Sequence, residues 1–199
     1  MRIKKFLALA TVAVSSAVAQ PVSAQTSTVS DPVGDVFPNT APAFQDAVMG
    51  QMTKTASGDF ELLMGLAGPV PLAPPLPPPG VSEIWWTWVF DFDSTTLPRG
   101  YPFNGGRRPE FVVYVSWNGT EFAGTAIDRR PLLTGGEAII APVPFSINGT
   151  IVEVDLASTL IGDVPPSFVW TVVTFGWSGP VGSEGSHIVD IGADASFNP

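Results

Sequence analysis

The sequence contains no cysteine and a single histidine, His187, and each scarcity excludes a class of site. Without cysteine there is no disulfide, no thiol nucleophile and no thiolate ligand for zinc. One histidine cannot build a histidine-rich metal centre. The nucleophile elbow Gly-x-Ser-x-Gly is also absent, because Gly176-Trp-Ser-Gly179 continues into Pro180. The sequence therefore predicts a protein that is not an enzyme and whose fold rests on packing and backbone pairing.

Basic residues are scarce as well, with nine Lys and Arg against 18 Asp and Glu and a formal net charge of −9. Three of the nine lie within the first five residues, before an apolar run over residues 6–19. Val22-Ser-Ala24 then supplies the small residues that signal peptidase requires. We therefore expect residues 1–24 to be a signal peptide cleaved near Ala24, and the mature protein to be secreted or periplasmic.

The predicted cleavage leaves six basic residues against 18 acidic ones, which gives a net charge of −12. So acidic a chain disfavours nucleic acid as a partner, because phosphate backbones attract basic surfaces. The N-terminal apolar run is shorter than the roughly 20 residues that a membrane-spanning helix needs. No later stretch is long and uncharged enough to span a bilayer, so membrane insertion is not expected.

Long helices are also excluded, because 20 Gly and 21 Pro are scattered along the chain. Val, Ile, Phe, Trp and Thr instead form short runs that are bounded by turn residues. This pattern predicts an all-β fold, a two-sheet antiparallel β-sandwich of the jelly-roll or immunoglobulin-like class. We expect eight or nine strands and one short helical turn over 157–161. An extended N-terminal segment over 25–43 would precede a single sandwich domain over 44–199.

Three hairpins and one crossover follow from the turn residues. Asn118-Gly119 and Asn148-Gly149 predict tight type I′ hairpins, and Ser57-Gly58 is expected to join a third strand pair. The proline-rich stretch Pro69–Gly80 lacks most of the backbone donors that a central strand needs. We predict that it is a stiff crossover between the two sheets.

The strand over 84–93 carries most of the aromatic residues of the first half. Side chains alternate across a strand, so Ile84, Trp86 and Trp88 should face the core while Trp85 faces the opposite side. On that second face Trp85 is either packed at the rim or exposed as a platform for a sugar ring. The aromatic residues expected at strand ends or in loops, where ligands are commonly bound, are Trp117, Trp177 and Tyr101.

Carboxylates form the other notable pattern. Asp91 and Asp93 share one face at a strand end, and Asp31-Pro-Val-Gly-Asp35 lies near the N-terminus. If the fold gathers these residues at one end of the sandwich, their oxygens can hold a hard cation such as calcium.

The same carboxylates are also compatible with two roles that need no metal. Asp31 and Asp35 can form Asx-type turns around the proline and the glycine between them. Alternatively, Arg129 or Arg130 can form a bidentate ion pair with a carboxylate. The acidic residues considered as its partner are Asp91, Asp93, Glu110 and Glu137.

Four short motifs resemble family 9 carbohydrate-binding modules and the related DOMON-like sandwiches. The motifs are Asp31-Pro-Val-Gly-Asp35, Asp46 in the first strand, Gly58-Asp-Phe-Glu-Leu-Leu-Met-Gly-Leu-Ala-Gly-Pro69 and Asp91-Phe-Asp93. The resemblance implies two antiparallel sheets with a calcium site near the N-terminal segment and, in some members, a sugar or haem at a sheet face. The metal candidates are then Asp31, Asp35, Asp46, Asp91 and Asp93.

Together these features predict a secreted, non-catalytic β-sandwich with a structural calcium site that recognises carbohydrate or a cell-envelope surface. The candidate contact residues are Trp85, Tyr101, Trp117, Trp177, Arg129 and Arg130. One alternative is a structural or adhesive exoprotein without a small-molecule ligand, which burial of the aromatic residues would favour. The other is a hydrolase, which would need two carboxylates such as Asp93 and Glu110 to face each other across a cleft.

Overall fold

The computed structural model describes residues 24–37, 41–76, 81–93, 109–177 and 186–198, which form twelve strands, one short helix and two 3-10 turns. The strands are β1 Gln25–Ser30, β2 Ala47–Lys54, β3 Phe60–Leu66, β4 Glu83–Asp91, β5 Phe111–Trp117, β6 Phe122–Asp128, β7 Ile139–Pro142, β8 Phe145–Asn148, β9 Ile151–Leu156, β10 Phe168–Trp177, β11 Ser186–Ile191 and β12 Ala195–Phe197. The helix α1 is Ser158–Ile161, and the 3-10 turns are Ala43–Gln45 and Arg130–Thr134. None of the helices in this part of the chain is long and apolar enough to span a bilayer.

The strands form two antiparallel sheets, which confirms the predicted sandwich. One sheet has the order β1-β2-β3-β9-β8. The other has the order β11-β10-β4-β5-β6-β7, and β12 also pairs with β10. Twelve strands exceed the eight or nine expected, because short strands at the sheet edges carry little hydrophobic pattern.

Strand β1 illustrates this weak signal. It lies in the segment predicted to be merely extended, yet it pairs with β2 from Gln25 opposite Lys54 to Ser30 opposite Met49. Only Val29 of its six residues is buried. A nearly all-polar strand at the edge of a sheet therefore offers no alternation from which its pairing can be predicted.

The proline-rich segment joins β3 of one sheet to β4 of the other, as the sequence predicted. Its described part, residues 69–76, also caps the core. The indole N–H of Trp117 donates a hydrogen bond to the carbonyl oxygen of Pro74 at 2.9 Å. The crossover thus covers an aromatic residue at the end of β5.

All three Gly-containing turns form hairpins, but two of them differ in register from the prediction. Trp117 pairs with Phe122, so the loop after β5 has four residues, and Asn118 Oδ1 accepts the N–H of Glu121 at 2.9 Å. In the other, Asn148 pairs with Ile151, which leaves Gly149 and Thr150 as the loop. The prediction of a type I′ turn centred on Asn-Gly is therefore wrong for both of these hairpins.

The core between the sheets is dominated by β4 and β10. Trp86 and Trp88 are completely buried, as expected for the inner face of β4, and so is Trp170 on β10. The opposite face of β4 is covered too, because Trp85 and Val89 form a second apolar cluster with residues of β10. Burial on both faces explains why β4 is a nearly continuous apolar run.

Candidate metal centre

The strongest candidate site lies on the segment over residues 31–37, which we call the bridging segment. It begins beside the five-stranded sheet, where the N–H of Asp31 donates to the carbonyl of Val48 at 3.1 Å. It reaches β11 at the edge of the other sheet, where the N–H of Phe37 donates to the carbonyl of Val189 at 2.7 Å. The bridging segment therefore connects the neighbouring edges of the two sheets.

Four carboxylates meet at this bridge. Asp31, Asp35 and Asp190 each present an oxygen, and these three oxygens lie within 4.8 Å of one another. The fourth residue, Asp46, immediately precedes β2 and is only 4% exposed. Its charge acts on both Asp31 and Asp190. We call these four residues the bridge cluster.

Backbone N–H groups hold two members of the bridge cluster in place. The N–H of Gly34 donates to Asp46 Oδ2 at 2.8 Å, and Gly34 has φ +88°, a conformation that favours glycine. Asp190 Oδ2 accepts the N–H of Ala47 at 2.6 Å, and its Oδ1 accepts the N–H of Ile191 at 2.8 Å. The carboxylates are therefore fixed against both sheets.

Two oxygens of the bridge cluster have no partner in the described part of the chain. Asp31 Oδ2 and Asp46 Oδ1 are buried and accept no hydrogen bond. Within the same residues, none of the four carboxylates forms an ion pair with Lys or Arg. Buried carboxylate oxygens without a hydrogen-bond partner carry a desolvation cost.

The close approach of the carboxylates is reflected in their proton affinity. Burial, followed by the charges of Asp190 and Asp35, raises the pKa of Asp31 to about 7. Burial also raises the pKa of Asp190, against the opposing effect of hydrogen bonds from Ala47 and Ile191. In the absence of a cation, the cluster therefore retains a proton that free aspartates would lose near pH 4.

We predict that the protein in EDTA loses thermal stability as the pH rises from about 4 to about 8. The folded chain binds more protons than the unfolded chain between the unfolded pKa of Asp31, near 3.9, and its folded pKa of about 7. The protonated Asp31 contributes its full stabilisation below the unfolded pKa, and this stabilisation is lost as the pH rises through the folded pKa. Melting temperatures across this range measure the effect. Asp31→Asn should make the melting temperature depend less on pH. A wild-type melting temperature that rises with pH over this range would contradict the raised pKa of Asp31.

A second acidic group lies elsewhere, which corrects the expectation that all the candidates gather at one end. Asp91 faces Val169 on β10, whereas Asp190 faces Thr174 on the same strand. These positions are five residues apart, or about 17 Å along the strand. Asp91 and Asp93 instead lie within 4.8 Å of Glu110.

The second group differs from the bridge cluster because its members are engaged by the protein. Neither Asp91 nor Asp93 is without a partner. Glu110 is 7% exposed, and its Oε2 accepts the N–H of Phe92 at 2.8 Å. Burial raises the pKa of Glu110, although the hydrogen bond from Phe92 opposes the shift. Glu110 is therefore buried and held by the backbone just after β4, close to Asp91 and Asp93.

Arg130 has a structural position that the sequence did not predict. Its Nε and Nη2 donate to the two oxygens of Asp128 at 2.9 and 2.7 Å, forming a bidentate ion pair. The guanidinium also donates to the carbonyl oxygens of Ile161 and Asp163 at 2.5 and 2.7 Å. The expected partners Asp91, Asp93, Glu110 and Glu137 are therefore wrong for Arg130. Arg129, which is half-buried and precedes the 3-10 turn, also has a partner.

The aromatic residues are less available for ligand contact than expected. Trp117 is 5% exposed and belongs to the core beneath the proline-rich crossover, so it does not offer the open aromatic surface at a strand end that the sequence suggested. Trp85 is 8% exposed, stacks on Tyr114 at a centroid distance of 4.1 Å and donates to Glu83 at 2.6 Å. Tyr101 and the side chain of Trp177 lie outside the described residues.

Asp190 is the functional candidate that the sequence interpretation missed. It is the single acidic residue of β11, and the sequence motifs do not include it among the metal candidates. Asp190 is 5% exposed and lies opposite Thr174 on the neighbouring strand. The available signal is a carboxylate within the apolar run Ile188-Val-Asp-Ile191, because such a residue is rarely buried without a compensating partner.

The sequence matches no protein-family model, and no curated protein or solved structure is significantly similar to it. The resemblance to family 9 carbohydrate-binding modules and DOMON-like sandwiches therefore remains a prediction.

Proposed function

We propose that this protein is an exported, non-catalytic β-sandwich in which one calcium ion at the bridge cluster fastens the two sheets to each other. The observation that carries the proposal is the environment of Asp46. This carboxylate is 4% exposed, has one oxygen without a partner and lies beside three further carboxylates. One calcium ion would offset two of these negative charges and reduce the repulsion among the carboxylates.

The chemistry of the cluster favours calcium. Its side-chain donors are carboxylate oxygens, which hard cations prefer, and it offers no sulfur or imidazole ligand. The carboxylates of Asp31, Asp35 and Asp190 bring one oxygen each close enough together to share one calcium bound at 2.3–2.6 Å. Calcium also accepts irregular coordination, which suits ligands contributed by several elements.

The proposed ion has a structural role because its ligands come from both sheets. Asp31 and Asp35 lie on the bridging segment, which begins beside the five-stranded sheet, and Asp190 lies on β11 of the other sheet. Asp46, immediately before β2, adds its negative charge beside them. Without the ion, mutual repulsion of these carboxylates opposes the packing of the two edges. Outside the cell, where we expect this protein, an affinity on the order of 10⁻⁴ to 10⁻³ M is enough for an extracellular calcium module.

Burial of Trp85 and Trp117 supports a structural protein rather than one that uses these residues to bind carbohydrate. We therefore propose neither a sugar nor an envelope surface as the ligand of these aromatic residues. The ion itself is the ligand for which the described residues provide donors.

Thermal unfolding in EDTA and in calcium tests this function. Calcium at 100 times its dissociation constant should stabilise the protein by about 2.7 kcal/mol, because it binds only the folded chain. Asp46→Asn should abolish the rise in melting temperature, since it keeps the shape of the side chain and an acceptor for Gly34 but removes the charge. Asp155→Asn, at an exposed position on β9, is the matched control and should respond like the wild type.

Magnesium provides a further comparison. It requires near-octahedral geometry at about 2.0–2.1 Å, so its stabilising effect should be smaller than that of calcium at equal concentration. Equal melting temperatures of the wild type in EDTA and in calcium would refute the proposed function.

A further inference from the structure

The N-terminal part of the described chain lies along the edges of both sheets. It consists of β1 and the bridging segment, residues 25–37, which we call the strap. β1 is an edge strand of the five-stranded sheet and pairs with β2. The bridging segment then reaches β11, the edge strand of the other sheet. The strap can therefore leave the sandwich without removing a strand from the middle of a sheet.

Few apolar contacts hold the strap. Val29 and Val36 are its buried residues, whereas Val33 and Phe37 are 74% and 76% exposed. By comparison, the central strand β3 buries five of its seven residues. A segment that buries few apolar side chains opens at a lower cost than the core. The strap therefore has the low local stability of a segment that can open while the core stays folded.

The polar contacts of the strap are of a kind that water can replace. The indole N–H of Trp170 donates to Ser27 Oγ at 3.0 Å, and Ser27 Oγ donates to the carbonyl oxygen of Ser196 at 3.0 Å. Hydrogen bonds that are exchanged for bonds to water contribute little net stability. When the strap opens, β2 stays paired with β3 along its other side. The five-stranded sheet therefore keeps four of its strands.

The bridge cluster is divided between the strap and the rest of the protein. Asp31 and Asp35 belong to the strap, whereas Asp46 precedes β2 and Asp190 lies on β11. In the docked strap, one oxygen each of Asp31, Asp35 and Asp190 lies within 4.8 Å of the others. Without a cation, repulsion among these carboxylates favours opening, because opening moves the two pairs apart. A cation reverses this preference, because its ligands meet only when the strap is docked.

We infer that the strap is a calcium-controlled element, which opens transiently from the edges of both sheets in the absence of calcium and is held docked by the ion. The sandwich beneath it stays folded in both states. The inference rests on the calcium site proposed above. Because the site is complete only in the docked form, calcium at 100 times its dissociation constant should lower the population of open strap about 100-fold.

Thiol labelling at pH 7.5 tests the inference, because the chain contains no cysteine of its own. Val29→Cys places one thiol on β1 at a position that is 3% exposed, so this thiol reacts when the strap opens. Val152→Cys is the matched control, at a completely buried position on β9 of the same sheet. Its thiol reacts when the sandwich unfolds. Both variants should keep the wild-type circular dichroism spectrum.

The two thiols should differ in rate and in their response to denaturant. In EDTA, Val29→Cys should be labelled roughly 100-fold faster than Val152→Cys, because opening of the strap costs less than unfolding of the sandwich. Calcium at 100 times its dissociation constant should slow the labelling of Val29→Cys about 100-fold. Low concentrations of urea should accelerate Val152→Cys more than Val29→Cys, since sensitivity to denaturant increases with the surface that opening exposes.

Hydrogen exchange of the unmodified protein gives the same test without a cysteine substitution. In EDTA, the hydrogen-bonded amides of residues 25–31 should exchange faster than those of β4, and calcium should slow them. In Asp46→Asn, calcium should leave this exchange unchanged.

Three results would overturn the inference, and they separate it from the proposed calcium site. Equal labelling rates of Val29→Cys and Val152→Cys in EDTA would mean that β1 opens only when the whole sandwich unfolds, even if calcium raises the melting temperature. If calcium raised the melting temperature but did not slow the labelling of Val29→Cys, the inference would fail and the calcium site would stand. If calcium changed neither the labelling nor the melting temperature, the inference and the proposed function would both fail.

Discussion

Replacing Trp86 with alanine should lower the free energy of unfolding by about 4 kcal/mol, the largest effect that we expect from a single substitution. Trp86 is completely buried on the inner face of β4, where the two sheets meet. Alanine removes the indole and leaves a cavity that a close-packed core cannot fill. Urea denaturation of the wild type and the variant measures the difference.

Trp86→Phe separates the two contributions of this side chain. The indole N–H donates to the carbonyl oxygen of Phe44 at 2.8 Å, and phenylalanine keeps most of the apolar contact while leaving that buried oxygen without its donor. We expect a cost of about 1–2 kcal/mol. Phe44 lies two positions before Asp46, so the same variant should respond less to calcium. A loss below about 1.5 kcal/mol in Trp86→Ala would contradict the central position of Trp86 in the core.

Arg130→Ala should cost about 2 kcal/mol of unfolding free energy. The guanidinium links the 3-10 turn after β6 to the end of α1 through Asp128, Ile161 and Asp163. It also lies over the aromatic ring of Phe92, with its central carbon 5.4 Å from the ring centroid. Its side chain is 28% exposed, so we place the cost below that of a fully buried ion pair.

Two measurements distinguish this bidentate contact from a generic surface charge. Arg130→Lys should recover less than half of the lost stability, because one ammonium group cannot reach Asp128 and both carbonyl oxygens. Burial acts to raise the pKa of Asp128, but hydrogen bonds from Arg130 outweigh it, so that pKa is lowered. The wild type should therefore lose this stabilisation as the pH falls below about 4, whereas Arg130→Ala has none to lose. If Arg130→Ala lowered the free energy of unfolding by less than about 0.5 kcal/mol, this would contradict the role of Arg130 in linking the 3-10 turn to the end of α1.

The fold could be predicted largely because its central elements have strong local patterns. The apolar run of β4 and the prolines between β3 and β4 each allow a single structural interpretation. The loop after β5 could not be predicted in detail, because the side chain of Asn118 accepts backbone N–H groups and stabilises a four-residue loop. The strands β7 and β12 have only four and three residues, too few for a reliable pattern, and β1 is nearly all polar.

The site was predicted only in part, because its members are distant in sequence. Asp31 and Asp35 were recognised from their own motif. Asp190 could not be joined to them, since nothing local indicates that β11 lies beside the bridging segment. Asp91 and Asp93 were grouped with the N-terminal aspartates because the direction in which β4 crosses the sandwich cannot be read from its composition. Trp117 was assigned to a strand end open to ligands because the covering Pro74 belongs to another segment.

Calorimetric titration of calcium into the purified protein at pH 7.5 tests the proposed calcium site most directly. We predict one ion per chain, and binding should be lost in both Asp46→Asn and Asp190→Asn. Asp93→Asn is the matched control and should bind like the wild type, because Asp93 is an exposed member of the other acidic group. Absence of binding to the wild type would contradict the proposed site. Binding that survives Asp46→Asn but is lost in Asp93→Asn would also contradict it, by assigning the ion to the group formed by Asp91, Asp93 and Glu110.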